Sequence, residues 1–142
     1  MPRVSCDRQC MDARGTGSFE NDLAADWLGF LLNHVDDVVL VDTALDLVAG
    51  AAGRADAGRC QEALAAAELV AAAGHKPCGG IDAATLAWVE QNWTALWQER
   101  RRKALATVRA ILESSALLEE WRARPDFDAW NADVGNLVER LS

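Results

Sequence analysis

The run Ala63–Ala73, ALAAAELVAAA, constrains the fold more than any other stretch. Alanine is the strongest intrinsic helix former. A helix with so little side-chain bulk lets its neighbours approach closely. The run therefore predicts a helix over 58–73 at the centre of an all-α bundle, ended by Gly74 in a C-terminal cap. With 142 residues, the chain makes one domain and can bury a core without staples.

Apolar spacing predicts the other helices. The first covers 21–33, with Leu23, Trp27, Phe30 and Leu31 inward and Ala24 and Leu28 widening that side. The second covers 37–49, capped by Asp36 or Asp37, with Val38, Val41, Leu45 and Val48 inward. Its opening valines suit a strand, but the period continues to Val48 and favours helix. Asp82 caps a helix over 83–91, and Asn92 breaks or re-caps it. The longest helix is predicted over 93–113, with Ala104, Leu105, Val108, Ile111 and Leu112 on its apolar face. Ser114 or Ser115 starts a sixth that ends before Pro125. Asp126 caps a last helix over 127–141, with Trp130, Val134, Leu137 and Leu141 inward. The expected fold is a single compact bundle of six or seven helices over 14–142, with residues 1–13 a loosely attached extension.

Turn chemistry, a helix start and carboxylates coincide between Arg14 and Asn33. Gly15 and Gly17 flank Thr16 and read as a tight entry turn. Phe19 is placed to pin that loop to the core, and Asn21 or Ser18 to cap the helix. Asp22 sits where the helix dipole favours negative charge. Asp22, Asp26, Gly29 and Asn33 then share one helical face. Like charges at i and i+4 cost roughly 0.2–0.5 kcal/mol, and a mid-helix glycine costs about 0.5–1 kcal/mol against alanine. Such a face either docks a partner, or is a solvated stripe in which Gly29 permits a close helix crossing.

Gly-Thr-Gly-Ser-Phe-Glu-Asn-Asp at 15–22, followed by Ala24, Ala25, Asp26, Trp27 and Leu28, resembles the opening of a family of small bacterial proteins, domain of unknown function 4259. Later segments resemble it more loosely: Glu62 to Ala73, Ala87-Trp88-Val89 and the arginines near Arg101. The resemblance implies a compact helical domain and brings no catalytic residue with it. Members usually start where Met11 stands, so residues 1–10 read as an extension.

The net charge is −8, which argues against a nucleic-acid binder. From Asp12 to Asp56 nine acids face two bases, a net of −7, so the acidity belongs to the first two helices. No apolar run reaches the ~18–20 residues of a membrane span. The N-terminus lacks the apolar core of a secretory signal, and four cysteines do not suggest a disulfide framework. The simplest compartment is cytoplasmic.

Cys6-x3-Cys10 and His75-x2-Cys78 supply zinc-ligating residue types, but the spacings are not the usual C-x2-C pairs. The thiols are expected to hold no metal. His34 and His75 are the only histidines, and neither has a nucleophile or orienting carboxylate in a recognisable pattern. His34 at a helix end is expected to interact with the helix dipole. Gly15-x-Gly17 is no phosphate loop: Glu20 stands where a third glycine belongs, and no strand precedes it. Arg100 to Lys103 wrap round their helix at about 100° per residue and form no single groove. They are expected to lie against the acidic first helices. Trp88, Trp93 and Trp97 are either core or an exposed patch.

The expected function is a protein-interaction module, toxin-neutralising or immunity-like, that docks an unidentified, basic protein. Its face is Asp22, Asp26, Gly29 and Asn33, extended by Asp42 and Asp46. The structural motif is Gly15, Gly17, Phe19, Asn21 and Trp27. No catalytic residue, cofactor, metal, nucleic acid or membrane is expected. The alternative is an enzyme or metal site of Glu20, Asp22, Asp26 and a histidine, which requires those groups to converge. A third reading, a purely structural module, requires the acids to pair with Arg100 to Lys103.

Overall fold

A computed structural model describes residues 17–19, 21–34, 38–51, 54–78 and 81–142. Cys6, Cys10, Gly15, Glu20, Asp36, Asp37 and the proposed extension lie outside them, as does the side chain of His34. Among the described residues the chain forms seven α-helices and no strand: α1 (Asp22–His34), α2 (Val39–Ala49), α3 (Ala57–Ala73), α4 (Ala83–Gln91), α5 (Glu99–Glu113), α6 (Ala116–Arg122) and α7 (Phe127–Leu141). A π-helical turn, Thr94–Gln98, leads into α5.

α3 is the centre of the bundle. Every residue from Ala63 to Ala73 is buried, and all six other helices pack on α3. Its methyl surface admits them at close range, as the composition predicts. Asp56 starts it by accepting from the Arg59 N–H at 2.8 Å. At its end the Lys76 N–H reaches the Ala71 carbonyl at 3.0 Å, and the His75 N–H the Ala72 carbonyl at 2.9 Å. This is the Schellman arrangement, whose left-handed residue is usually glycine. Here that residue is His75, at φ 66°, and Gly74 beside it is at φ −84°. Gly74 serves a different purpose: a Cβ on it would stand 2.4 Å from the Trp97 ring.

α1 is rolled relative to the expected face. Ala24 and Leu31 are fully buried, whereas Leu23 is 40% and Phe30 54% exposed. Trp27 and Leu28 are partly buried against the core. Nine of the thirteen α1 residues are apolar or glycine, so period alone leaves its roll undetermined. The smaller Ala24 is the residue turned inward, and Leu23 swings towards Gly58, its Cδ2 2.9 Å from where a Cβ on that glycine would be.

The helix expected over 93–113 is interrupted. The i→i+5 turn inserts an extra residue per turn, separating an exposed Trp93 from a half-buried Trp97 packed on Gly74. Arg100 Nη1 donates to the Ala95 carbonyl at 2.8 Å, and Asn92 Nδ2 to the Trp88 carbonyl at 2.9 Å. Those bonds satisfy backbone groups that the altered register disturbs. Ser115 caps α6 and Asp82 caps α4 as expected. α2 begins at Val39 with no side-chain cap on Val38. Asp126 does not cap α7; its Oδ1 is drawn instead to Arg124 Nε, 3.4 Å away.

Candidate functional site

Asn21 builds the start of α1, its Oδ1 accepting from the Ala24 N–H at 2.8 Å. Phe19 packs on the core just before it. The cap and that anchor leave Asp22, Asp26 and Asn33 exposed along the outer side. A Cβ on Gly29 would meet nothing within 4 Å, so no helix crosses there. Asn33 Nδ2 donates to the Gly29 carbonyl at 2.8 Å, covering one backbone acceptor on the bare stretch. No ion pair joins Asp22 or Asp26 to another described residue. Phe30, which the sequence placed inward, adds apolar surface beside these acids.

Asp42 and Asp46 are engaged differently. Asp42 Oδ1 accepts from Arg100 Nε at 3.0 Å and Lys103 Nζ at 2.8 Å, and Asp46 Oδ1 lies 2.8 Å from the same Nζ. The basic run thus lies against the second helix. The hydrogen bond from Lys103, helped by that from Arg100, outweighs desolvation and holds the Asp42 carboxyl below its ordinary range. Asp42 and then Asp46 push the Lys103 ammonium up.

The acids of α1 do not converge with the described histidine. Leu23 packs at Gly58, near the start of α3, while His75 follows the end of α3. Those two points are roughly 25 Å apart along the helix axis. His34 is two turns beyond Asp26 on α1 itself, about 12 Å of rise. Cys60 is buried, and desolvation pushes its thiol up from the ordinary 9.0, the opposite of what a nucleophilic cysteine needs. Among the described residues no three His, Cys, Asp or Glu side chains gather to hold a metal ion.

A second polar cluster escaped the sequence reading. Glu68, in the middle of the alanine run, is 3% exposed. Arg140 of α7 grips it with Nη1 on Oε1 at 2.7 Å and Nη2 on Oε2 at 3.1 Å. Ser18, from the glycine-rich entry turn, donates to the same carboxylate at 3.0 Å. Arg140 Nη1 also reaches the Lys76 carbonyl at 3.1 Å. Ser18 therefore locks the entry turn to the central helix, and Asn21 alone caps α1. The available signal was a charged residue within an otherwise apolar run; its partner, 72 positions away, left no local trace.

No described helix is long and apolar enough to cross a membrane. Comparison with curated proteins and with solved structures finds no match. The family described as Domain of unknown function (DUF4259) matches residues 12–133, which takes in the entry turn, α1 to α6 and the first half of α7. This chain belongs to the family of domain of unknown function 4259.

Proposed function

We propose that this protein is an interaction module that docks a basic protein through the outer face of α1. The observation that carries the proposal is the exposure of Asp22 and Asp26, with no ion-pair partner among the described residues, on a helix whose Gly29 faces open space. The protein's own strong cations at Arg100 and Lys103 are taken up by Asp42 and Asp46. We therefore place the docking face on α1, with Asp22, Asp26, Gly29 and Asn33, and leave Asp42 and Asp46 to the fold. Carboxylates beside a bare backbone stretch let a partner approach closely while its charge is matched. A net charge of −8 steers a basic partner towards it. Masking of a basic target, as in a toxin-neutralising or immunity-like role, fits that chemistry.

The test uses the full chain as bait in lysate of the native host, beside a folded Asp22→Lys, Asp26→Lys variant. A basic partner captured by the native chain, lost with the variant and released by salt is the expected result. A partner held equally by both, or none specific to the native chain, overturns the proposal.

A further inference from the structure

Two backbone irregularities border one cleft. The cleft, about 240 Å³, lies between the last turn of α3, the Pro77 loop and α4. Leu86, Val89 and Pro77 are among its apolar walls, and His75, Glu90 and Trp93 line it as well. His75 holds a left-handed backbone, at φ 66°. Directly after Trp93 the chain enters the π-helical turn. Left-handed non-glycine residues and π turns both cost stability, and both concentrate where ligands bind. Trp93, next to that turn, is 44% exposed and so offers part of its ring to solvent.

We infer that this cleft binds an organic cation the size of one side chain, a guanidinium or alkylammonium group on a short apolar stem. Size sets the first limit, because drug-sized ligands occupy roughly 300–1,000 Å³. Chemistry sets the second. An indole face attracts cations, and Glu90 supplies a carboxylate. Among the described residues that line the cleft, none is lysine or arginine to oppose them. The apolar walls suit an alkyl stem. The cleft shares no residue with the α1 face, so it stands or falls separately from the docking proposal.

The test is a titration of the isotope-labelled full chain, followed through indole and backbone N–H resonances. The probes are ethylguanidinium and n-butylammonium, with n-butanol as the uncharged control. The expected result is a saturable millimolar response centred on the Trp93 indole, absent with butanol. Glu90→Gln and Trp93→Leu each weaken it roughly threefold to tenfold. Both residues are exposed, and the spectra themselves report whether each variant remains folded. A Gly-Arg-Gly peptide distinguishes the sources. Binding no tighter than ethylguanidinium marks a small-amine site, and tenfold tighter binding marks a site for a protein's arginine. No saturable response at 100-fold the expected midpoint, an equal response to butanol, or unchanged affinity in Glu90→Gln overturns the inference.

Discussion

Gly74 and His75 divide between them two tasks that one residue usually performs. The Schellman turn needs a left-handed residue, and glycine meets that need without strain. Here glycine is held one position earlier by the Trp97 ring, and His75 takes the left-handed conformation. The left-handed region costs an L-residue roughly 1–2 kcal/mol. His75→Gly is therefore expected to stabilise by about 1 kcal/mol in urea unfolding, less whatever the unfolded chain gains in freedom. Gly74→Ala, which fits backbone angles at 74 but drives a methyl into the indole, is expected to destabilise by about 1–3 kcal/mol. Opposite signs at adjacent positions are the signature; a loss at both would mean that His75 makes contacts worth more than its strain. The sequence marks Gly74 as the end of a helix, but it does not show why, because Trp97 meets it only through the tertiary fold. Phe19 is half-buried, so Phe19→Ala is expected to cost about 1–3 kcal/mol, below the 3–5 kcal/mol typical of a fully buried phenylalanine.

At the scale of elements, α3 was legible and its neighbours only partly so. Alanine composition alone makes α3 a helix that others approach closely, and all six others do. What composition hides is the buried charge at Glu68, which binds the entry turn, α3 and α7 into one unit. Removing one partner strands the other in a dry site, a loss of about 3–5 kcal/mol for a buried pair. Glu68→Ala is expected near the lower end, since Arg140 keeps bonds to the Lys76 carbonyl and to Asn136. Combined with Arg140→Ala, the losses should fall well short of their sum, because the second change removes an already orphaned charge. Additive losses in calorimetric melting would show that the pair is not coupled. The roll of α1 and the break at Thr94–Gln98 were illegible for a related reason. In each, several registers satisfy the local pattern, and tertiary packing decides among them, with Ala24 buried and Trp97 set against Gly74.

For the whole molecule, charge is arranged in two layers. An inner clip joins α2 to α5 through Asp42, Asp46, Arg100 and Lys103, and an outer layer on α1 carries Asp22 and Asp26, which pair with no cation among the described residues. Sequence placed the acidity in the first two helices but could not apportion it between these layers, because pairing depends on which helix α5 meets. The clip has a pH signature of its own. Asp42 is lowered in the fold, so its contribution is complete above its ordinary 3.8 and is lost as pH falls through the depressed value. Lys103 is raised, so its contribution is complete below its ordinary 10.5 and is lost as pH rises past that value. Asp82, held low by Thr85, whose backbone N–H donates to its Oδ1 at 2.8 Å, adds to the acid side alone. Stability is therefore expected to be level through neutral pH and to fall at both extremes. Asp42→Asn should flatten both limbs, because Asp42 is also the largest cause of the Lys103 shift. Asp82→Asn should flatten only the acid limb. Both side chains of the Asp42–Lys103 pair are about one-third exposed, so added salt should shrink the Asp42→Asn effect. Melting temperatures of the three proteins from pH 2 to 11, at low and high salt, decide the matter. An alkaline limb untouched by Asp42→Asn would assign Lys103 to Asp46 and leave Asp42 to Arg100. Limbs unchanged in every variant would mean that the clip is too solvated to hold α2 against α5, and that the apolar seam with α3 does so alone.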